Sequence, residues 1–112
     1  MDRLFVPLCR VPFDDFQSFG KSFELRNYGR QYTEKHVFPG RKVELRLGYR
    51  VGNSLWGIIG RVYIGSLDEI FEKVPYRNII PQAGSVVHAI QKIDGFMKRS
   101  ERYISFEVLF DA

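Results

Sequence analysis

The stretch LWGIIGRVYIG, residues 55–65, decides the fold that the sequence predicts. Apolar side chains occupy nearly every position, which is typical of a strand covered on both faces in the middle of a sheet. Gly57 and Gly60 interrupt this run. Because glycines inside a strand mark bulges and bends, they favour a sheet that curves toward closure. The stretch therefore predicts a central, bent strand of a small barrel.

Four other stretches predict the remaining strands. Residues 22–27 (SFELRN), 41–49 (RKVELRLGY) and 103–110 (YISFEVLF) alternate apolar and polar side chains, which is the period of a half-buried strand. Residues 4–11 form another strand-like run. In the 41–49 stretch the alternation gives Tyr49 the same face as the apolar residues, so we expect it to be a core side chain.

Three short helices complete the predicted domain. Pro12 suits the first turn of a helix, and Gly20 suits its left-handed end. The sequence SLDE, residues 66–69, is a capping box, and Ser85 is a cap for a third helix. We therefore predict an α+β fold, a small β-barrel of about five to six mostly antiparallel strands with two or three short helices. An open α+β sandwich is the alternative.

Length and composition indicate one domain over residues 1–112. Hydrophobic residues make up 45% of the chain and aromatic residues 15%, enough for a folded core. No apolar run approaches the roughly 20 residues of a membrane helix, and the N-terminal run is too short for a secretory signal. We expect a cytoplasmic protein with no membrane partner. Cys9, the lone cysteine, is expected to be a buried, inert thiol.

The net charge of +4 is concentrated in about a quarter of the chain. Residues 21–50 hold eight basic residues against three acidic ones, a local excess of five. Tyrosines interleave with these charges at Tyr28 and Tyr32. Basic residues mixed with aromatic rings are typical of single-stranded nucleic-acid sites, where bases stack and the backbone meets positive charge. A solvated surface with a charge bias is the alternative interpretation.

Several motifs, in order along the chain, resemble the ASCH domain, a family of the PUA-like superfamily of small β-barrels. They are a Gly-Lys turn, the string KSFELR at 21–26, the turn PGRKV at 39–43 and the closing strand YISFEV at 103–108. The specific part is a Gly-x-Lys-x-x-Glu-x-Arg motif, matched by Lys21, Glu24 and Arg26.

Two positions depart from the family pattern. Phe19 stands at the usual position of the motif glycine, with Gly20 after it, and Arg41 replaces the common aspartate after Gly40. The first change affects the angle at which Lys21 leaves the turn. The second removes a carboxylate and adds positive charge.

The resemblance implies a cleft beside the helix–strand turn that binds RNA or modified nucleosides. Some members of the family are similar to amidohydrolases that remove the acetyl group from acetylated cytidine, using a lysine, a threonine and a glutamate. Lys21 matches the lysine, but Glu24 stands at the threonine position, and the loop at 75–79 holds no carboxylate for the third role. The catalytic residues of such an enzyme would be Lys21 and Glu24, with an incomplete motif.

The motif residues also have a purely structural interpretation. Glu24 and Arg26 leave the same face of a strand and can form an ion pair that pins it to the neighbouring loop. In the binding interpretation, Lys21, Glu24 and Arg26 share an open hollow and recognise a base or a phosphate. We then expect Glu24→Gln to change ligand choice more than stability. The further residues predicted for the binding site are Tyr28, Arg30, Tyr32, Arg41 and Arg46, and the basic patch also includes Lys35, Lys42 and Arg50.

The sequence gives no motif for a metal site or a cofactor site. His36 and His88 have no ligand-type spacing to a cysteine or a carboxylate, so we expect no metal site, and no motif indicates a cofactor. The predicted partner is RNA or a nucleoside. A module that uses its basic patch on an acidic protein partner is the remaining alternative.

Overall fold

The computed structural model describes residues 2–49 and 52–110 of the chain. Short helices connect the strands of one sheet. The strands are β1 (Leu4–Leu8), β2 (Phe23–Asn27), β3 (Lys42–Leu47), β4 (Ser54–Gly65) and β5 (Tyr103–Phe110). The helices are α1 (Arg10–Ser18), α2 (Leu67–Lys73) and α3 (Val86–Phe96), and a 3-10 turn spans Tyr76–Asn78. None of the helices in the described ranges has the length and apolar character needed to span a bilayer.

The sheet has the strand order β1-β3-β4-β5-β2 and forms a half-barrel. Only β1 and β3 pair in parallel, while the other three pairings are antiparallel. The predicted α+β barrel with mostly antiparallel strands is therefore confirmed, and β4 is its central strand. Strands β1 and β2 are the two edges, and a seam separates them.

The bend predicted in the central strand is present. The pairing of β4 with β5 shifts register between Ile59 and Val62, which places Gly60 and Arg61 in the irregular segment. Gly57 lies where the two backbones approach closely, since a Cβ atom there would be 2.7 Å from the carbonyl oxygen of Leu109. These two glycines let the strand follow the curvature of the sheet.

We expect Gly57→Ala to lower the free energy of unfolding by about 1–3 kcal/mol, the usual cost of overpacking a core. The added methyl group would overlap the backbone of β5 and lie 2.9 Å from Cγ1 of Val108, so a strand has to move. Gly95→Ala in α3 is the matched control, because nothing lies within 4 Å of its Cβ position. That change should stabilise the domain by about 0.5–1 kcal/mol through helix propensity. Urea unfolding of both variants measures the difference, and equal stabilities would contradict the close approach.

Two apolar clusters cover the two faces of the sheet. The first fills the concave side and includes Val6, Leu45 and Phe106 together with α1. The second lies under α2 and α3 and includes Phe23 and Tyr103. The apolar residues of β2 belong to the second cluster. The residues of β2 that alternate with these apolar ones, including Glu24 and Arg26, therefore point toward the concave interior.

Three local predictions are wrong. Strand β1 ends at Leu8 rather than near residue 11, because α1 already begins at Arg10. Cys9, directly before that helix, is exposed rather than buried. Tyr49 is 78% exposed because β3 ends at Leu47, and Gly48 then turns the chain with a φ of 72°. The strand alternation therefore does not extend to Tyr49.

Candidate functional site

Lys21 enters the interior of the domain directly after α1. Gly20 has a φ of 82°, a left-handed conformation that favours glycine, and it turns the chain after the helix. The backbone N–H of Lys21 then donates to the carbonyl oxygen of Asp15 over 3.1 Å. The Nζ atom donates to the carbonyl oxygen of Ile79 over 2.6 Å and lies 3.4 Å from Oε1 of Glu24. Only 3% of the lysine side chain is exposed.

Arg26 joins the motif to the opposite edge of the sheet. Its Nε and Nη2 atoms donate to Oε2 of Glu24 over 3.1 and 2.9 Å. Nη2 also donates to the carbonyl oxygen of Pro7 over 2.8 Å. Because Arg26 is on β2 and Pro7 is on β1, this hydrogen bond crosses the seam between the two edge strands.

The electrostatics of the trio follow from burial and proximity. Burial lowers the pKa of the Lys21 ammonium group, and the Glu24 carboxylate opposes that change. Burial alone would raise the pKa of Glu24, but the charges of Lys21 and Arg26 outweigh it and lower that pKa. With all three groups charged, the cluster carries one surplus positive charge. The geometry is that of the buried ion pair considered as the structural interpretation.

An open cleft of about 730 Å³ adjoins this cluster. Four of the predicted binding residues line it, namely Arg26, Tyr28, Arg30 and Tyr32. Lys21 and Glu24 do not line it, since they are buried behind the arginine. The structure therefore differs from the expectation that all three motif residues share a hollow open to solvent. The complete lining is Pro7, Arg26, Asn27, Tyr28, Gly29, Arg30, Gln31, Tyr32, Tyr49 and Met97.

Two buried polar atoms at the cleft have no hydrogen-bond partner among the described residues. They are Oδ1 of Asn27 and the hydroxyl oxygen of Tyr32. The side chain of Gln31 approaches the Tyr32 hydroxyl but lies outside hydrogen-bond geometry. Burial raises the pKa of Tyr32, so the phenol stays protonated near neutral pH and can donate a hydrogen bond. Both residues line the cleft, but these two atoms are closed to solvent, so a ligand or a water molecule reaches them only when the lining moves.

The three tyrosine rings of the cleft differ in how accessible they are for stacking with a ligand. The Tyr32 ring lies between the Arg26 guanidinium, 5.1 Å from its centroid, and the Phe106 ring, which stacks at 6.4 Å. The Arg102 guanidinium lies 4.0 Å from the centroid of the Tyr28 ring, and the Tyr28 hydroxyl donates to Glu34. Tyr49 is largely exposed. Tyr49 is therefore the ring most available for stacking.

Arg41 and Arg46 were predicted in the site but lie outside the cleft lining. Arg41 donates to the backbone carbonyls of Asp2 and His36. Arg46 binds Glu44 over 2.8 Å on the outer face of β3. Of the basic patch, Arg50 lies outside the described residues.

Sequence reasoning missed three polar or aromatic residues of the cleft: Asn27, Gln31 and Tyr49. Gly48 was an available signal for Tyr49, because a glycine at the end of an alternating run often ends the strand. Asn27 and Gln31 converge only because the loop after β2 folds back, with Gly29 pairing with Tyr32. The part of the chain that the structure describes holds no group of three or more histidine, cysteine or carboxylate side chains suited to a metal ion.

The comparisons with known proteins define the fold class. No family model and no curated protein sequence matches this chain. The crystal structure of hypothetical protein PH0355 is similar over 98% of this chain and 100% of its own, at 16% identity and a TM-score of 0.78. Protein PF0455 from Pyrococcus furiosus, solved in solution, is similar over 97% of both chains at 18% identity and a TM-score of 0.68.

The structure of an ASCH protein connects this fold to the sequence resemblance. The ASCH protein from Zymomonas mobilis is similar over 93% of this chain and 64% of its own, at 10% identity and a TM-score of 0.63. The chain therefore has the fold of the ASCH domain, and the resemblance noted in the sequence is confirmed at the level of the fold.

Proposed function

We propose that this domain binds single-stranded RNA or a modified nucleoside in the cleft beside the Glu24–Arg26 pair. The observation that carries the proposal is the composition of the cleft. Two arginines and three tyrosines surround two buried polar atoms that lack a partner. Positive charge, aromatic rings and unpaired hydrogen-bonding groups are what an unstacked base with its phosphate requires.

The unpaired atoms supply the specificity in this proposal. A buried polar atom without a hydrogen bond costs about 1–3 kcal/mol, so a ligand that pairs with it binds more tightly than one that does not. Base edges carry donors and acceptors in fixed patterns. Asn27 supplies an acceptor, and the Tyr32 hydroxyl supplies a donor or an acceptor. In this proposal the side chains of Asn27 and Tyr32 move on binding, and a base edge then pairs with these two groups.

The buried motif residues have a positioning role in this proposal. Glu24 accepts two hydrogen bonds from Arg26 and so fixes its guanidinium at the floor of the cleft. Lys21 in turn holds Glu24 from behind. The two residues act on the ligand through Arg26, because neither of them reaches the cleft surface.

We expect Arg30→Ala to weaken binding of a short single-stranded RNA several-fold. Arg30 is exposed and lines the cleft, so its loss removes a phosphate contact and leaves the packing of the core unchanged. The slope of log affinity against log salt should fall in magnitude by about 0.7–1. Fluorescence anisotropy at several salt concentrations measures both quantities.

Arg77→Ala is the matched control for that experiment. Arg77 is also an exposed arginine, but it does not line the cleft. Its replacement should leave the affinity and the salt slope nearly unchanged. Equal effects of the two variants would show that RNA responds to net charge alone, against a specific cleft.

Two other candidate functions predict different experimental results. An amidohydrolase would release acetate from acetylated cytidine, and Lys21→Ala would stop the release. The ion pair of Lys21 with Glu24 favours this candidate, but the nearly complete burial of Lys21 opposes it, since a catalytic group has to reach its substrate. A protein-interaction module with an acidic partner would show no affinity for short RNA at low salt.

A further inference from the structure

Aromatic surface continues from the cleft onto the outer face of β1. The Tyr49 ring lines the cleft and is 78% exposed. Its centroid lies 6.1 Å from that of Phe5, with an angle of 54° between the rings. Phe5 is half-buried and does not line the cleft. Tyr49 therefore stands at the boundary between the cleft and a second surface.

Two arginines cover the Phe5 ring on this second surface. The Arg46 guanidinium lies 4.6 Å from the ring centroid and that of Arg3 lies 5.8 Å away. Both bind Glu44, over 2.8 and 3.0 Å, and Glu44 also accepts a hydrogen bond from Ser54. Two cations share one carboxylate, so one positive charge is in surplus. The Arg3 side chain is 41% exposed and presents this charge to solvent.

The ionic cluster of Arg3, Glu44 and Arg46 has the same arrangement as that of Lys21, Glu24 and Arg26. Strand β2 contains FELR at 23–26, and strand β3 contains VELR at 43–46. In each strand the glutamate is buried and binds the arginine two residues later together with a second cation. The Lys21–Glu24–Arg26 cluster adjoins the cleft, and the Arg3–Glu44–Arg46 cluster lies on the outer face of β3. Arg46 Nη1 donates to the backbone carbonyl of Tyr49 over 3.1 Å, which ties the second cluster to the cleft boundary.

We infer that the ligand is a single-stranded polynucleotide of two or more residues rather than a free nucleoside, an inference that rests on the proposed function. One base occupies the cleft. The next base stacks on the Tyr49 ring, and the phosphate beyond it meets Arg3. Arg26 in the cleft, Arg3 on the second surface and the exposed Tyr49 ring at their boundary match the alternation of phosphates and bases along a strand. A free nucleoside has no group that contacts the Arg3 surface.

The experiment compares uridine monophosphate with a short oligouridylate for the wild-type protein, Arg3→Ala and Tyr49→Ala. Isothermal titration calorimetry gives both affinities. We expect the wild type to bind the oligonucleotide at least tenfold more tightly than the mononucleotide. Arg3→Ala should reduce this ratio several-fold and leave the mononucleotide affinity unchanged. Tyr49→Ala should reduce the oligonucleotide affinity about tenfold, the loss typical of one base stack.

Phe19→Ala is the matched control for loss of an exposed aromatic ring. Phe19 is 57% exposed at the end of α1 and does not line the cleft. Its replacement should leave the affinity ratio unchanged. A wild-type ratio near one, or a ratio that Arg3→Ala and Tyr49→Ala leave unchanged, overturns the inference and leaves nucleoside binding intact. No binding of either probe overturns the proposed function, and the inference falls with it.

Discussion

We expect Glu24→Gln to lower the free energy of unfolding by about 3 kcal/mol, because removing one member of a buried ion pair leaves the other charge uncompensated. The glutamine keeps the size of the side chain but removes the negative charge between Lys21 and Arg26. Lys21 is then a buried cation that keeps the Ile79 carbonyl as an acceptor but has lost the charge of its closest carboxylate, with Asp15 as a second acidic neighbour. Urea unfolding measures the loss. This prediction differs from the one made from the sequence alone, in which the same change acts mainly on ligand choice.

Acid unfolding provides a second measurement of the same residue. The pKa of Glu24 in the folded protein lies below its ordinary value of 4.5, so the unfolded chain binds the proton first as the pH falls. The stability that Glu24 contributes is present above that value and is lost as the pH falls toward the folded pKa. The wild type should therefore lose stability in acid more steeply than Glu24→Gln.

Glu107→Gln is the control for both measurements. Glu107 also pairs with an arginine, Arg61, but that arginine is 62% exposed, against 23% for Arg26, so the pair lies at the boundary with solvent. Solvent screens such pairs, so the stability change should be much smaller than for Glu24→Gln. Equal losses of stability in the two variants would contradict the burial of the Lys21–Glu24–Arg26 cluster.

We expect Arg26→Ala to lower the free energy of unfolding by about 2–3 kcal/mol and to weaken the proposed RNA binding at least tenfold. A hydrogen bond to a charged group contributes about 1.5–3 kcal/mol, and Arg26 makes two to Glu24 besides the one to Pro7. The bond to Pro7 crosses the seam, so its loss should expose the edge strands. Backbone amides of β1 and β2 should exchange hydrogen faster than those of β4. Calorimetric binding and hydrogen exchange measure the two effects.

Arg26→Lys separates the charge of the side chain from its geometry. A lysine keeps the positive charge but lacks the planar fork that reaches Glu24 and Pro7 together. We expect partial recovery of RNA affinity and fast exchange in β1 as in the alanine variant. Full recovery of slow exchange by lysine would contradict the bridging role, and full retention of affinity in Arg26→Ala would remove this residue from the proposed site.

Elements that depend on neighbouring residues were predictable from the sequence. The capping box forms as expected, with the Ser66 hydroxyl accepting from the backbone N–H of Glu69 over 3.2 Å and Glu69 accepting from the Ser66 N–H over 3.0 Å. The glycines of β4 mark its bend, and Gly20 has the left-handed conformation that its position indicated. These features involve atoms a few residues apart, so the local chain decides them.

The candidate site was only partly predictable. Arg26, Tyr28, Arg30 and Tyr32 were expected together and do line one cleft, because they follow one another through a strand and its loop. The contributions of Pro7, Tyr49 and Met97 come from distant parts of the chain. Their position depends on how the two edges of the sheet approach each other.

The sequence by itself determined the presence of the strands, the starts of α2 and α3, the bend in β4 and the Glu-x-Arg pairing, since periodicity and short-range hydrogen bonds act along the chain. Alternation also showed that Glu24 and Arg26 share a face of β2, but it cannot say whether that face meets water. Only the tertiary structure decided that this face of β2 points into the half-barrel, because curvature brings β1 and β2 together across the seam. That closure buries Lys21 and Glu24 and leaves Arg26 as the one member of the trio that lines the cleft.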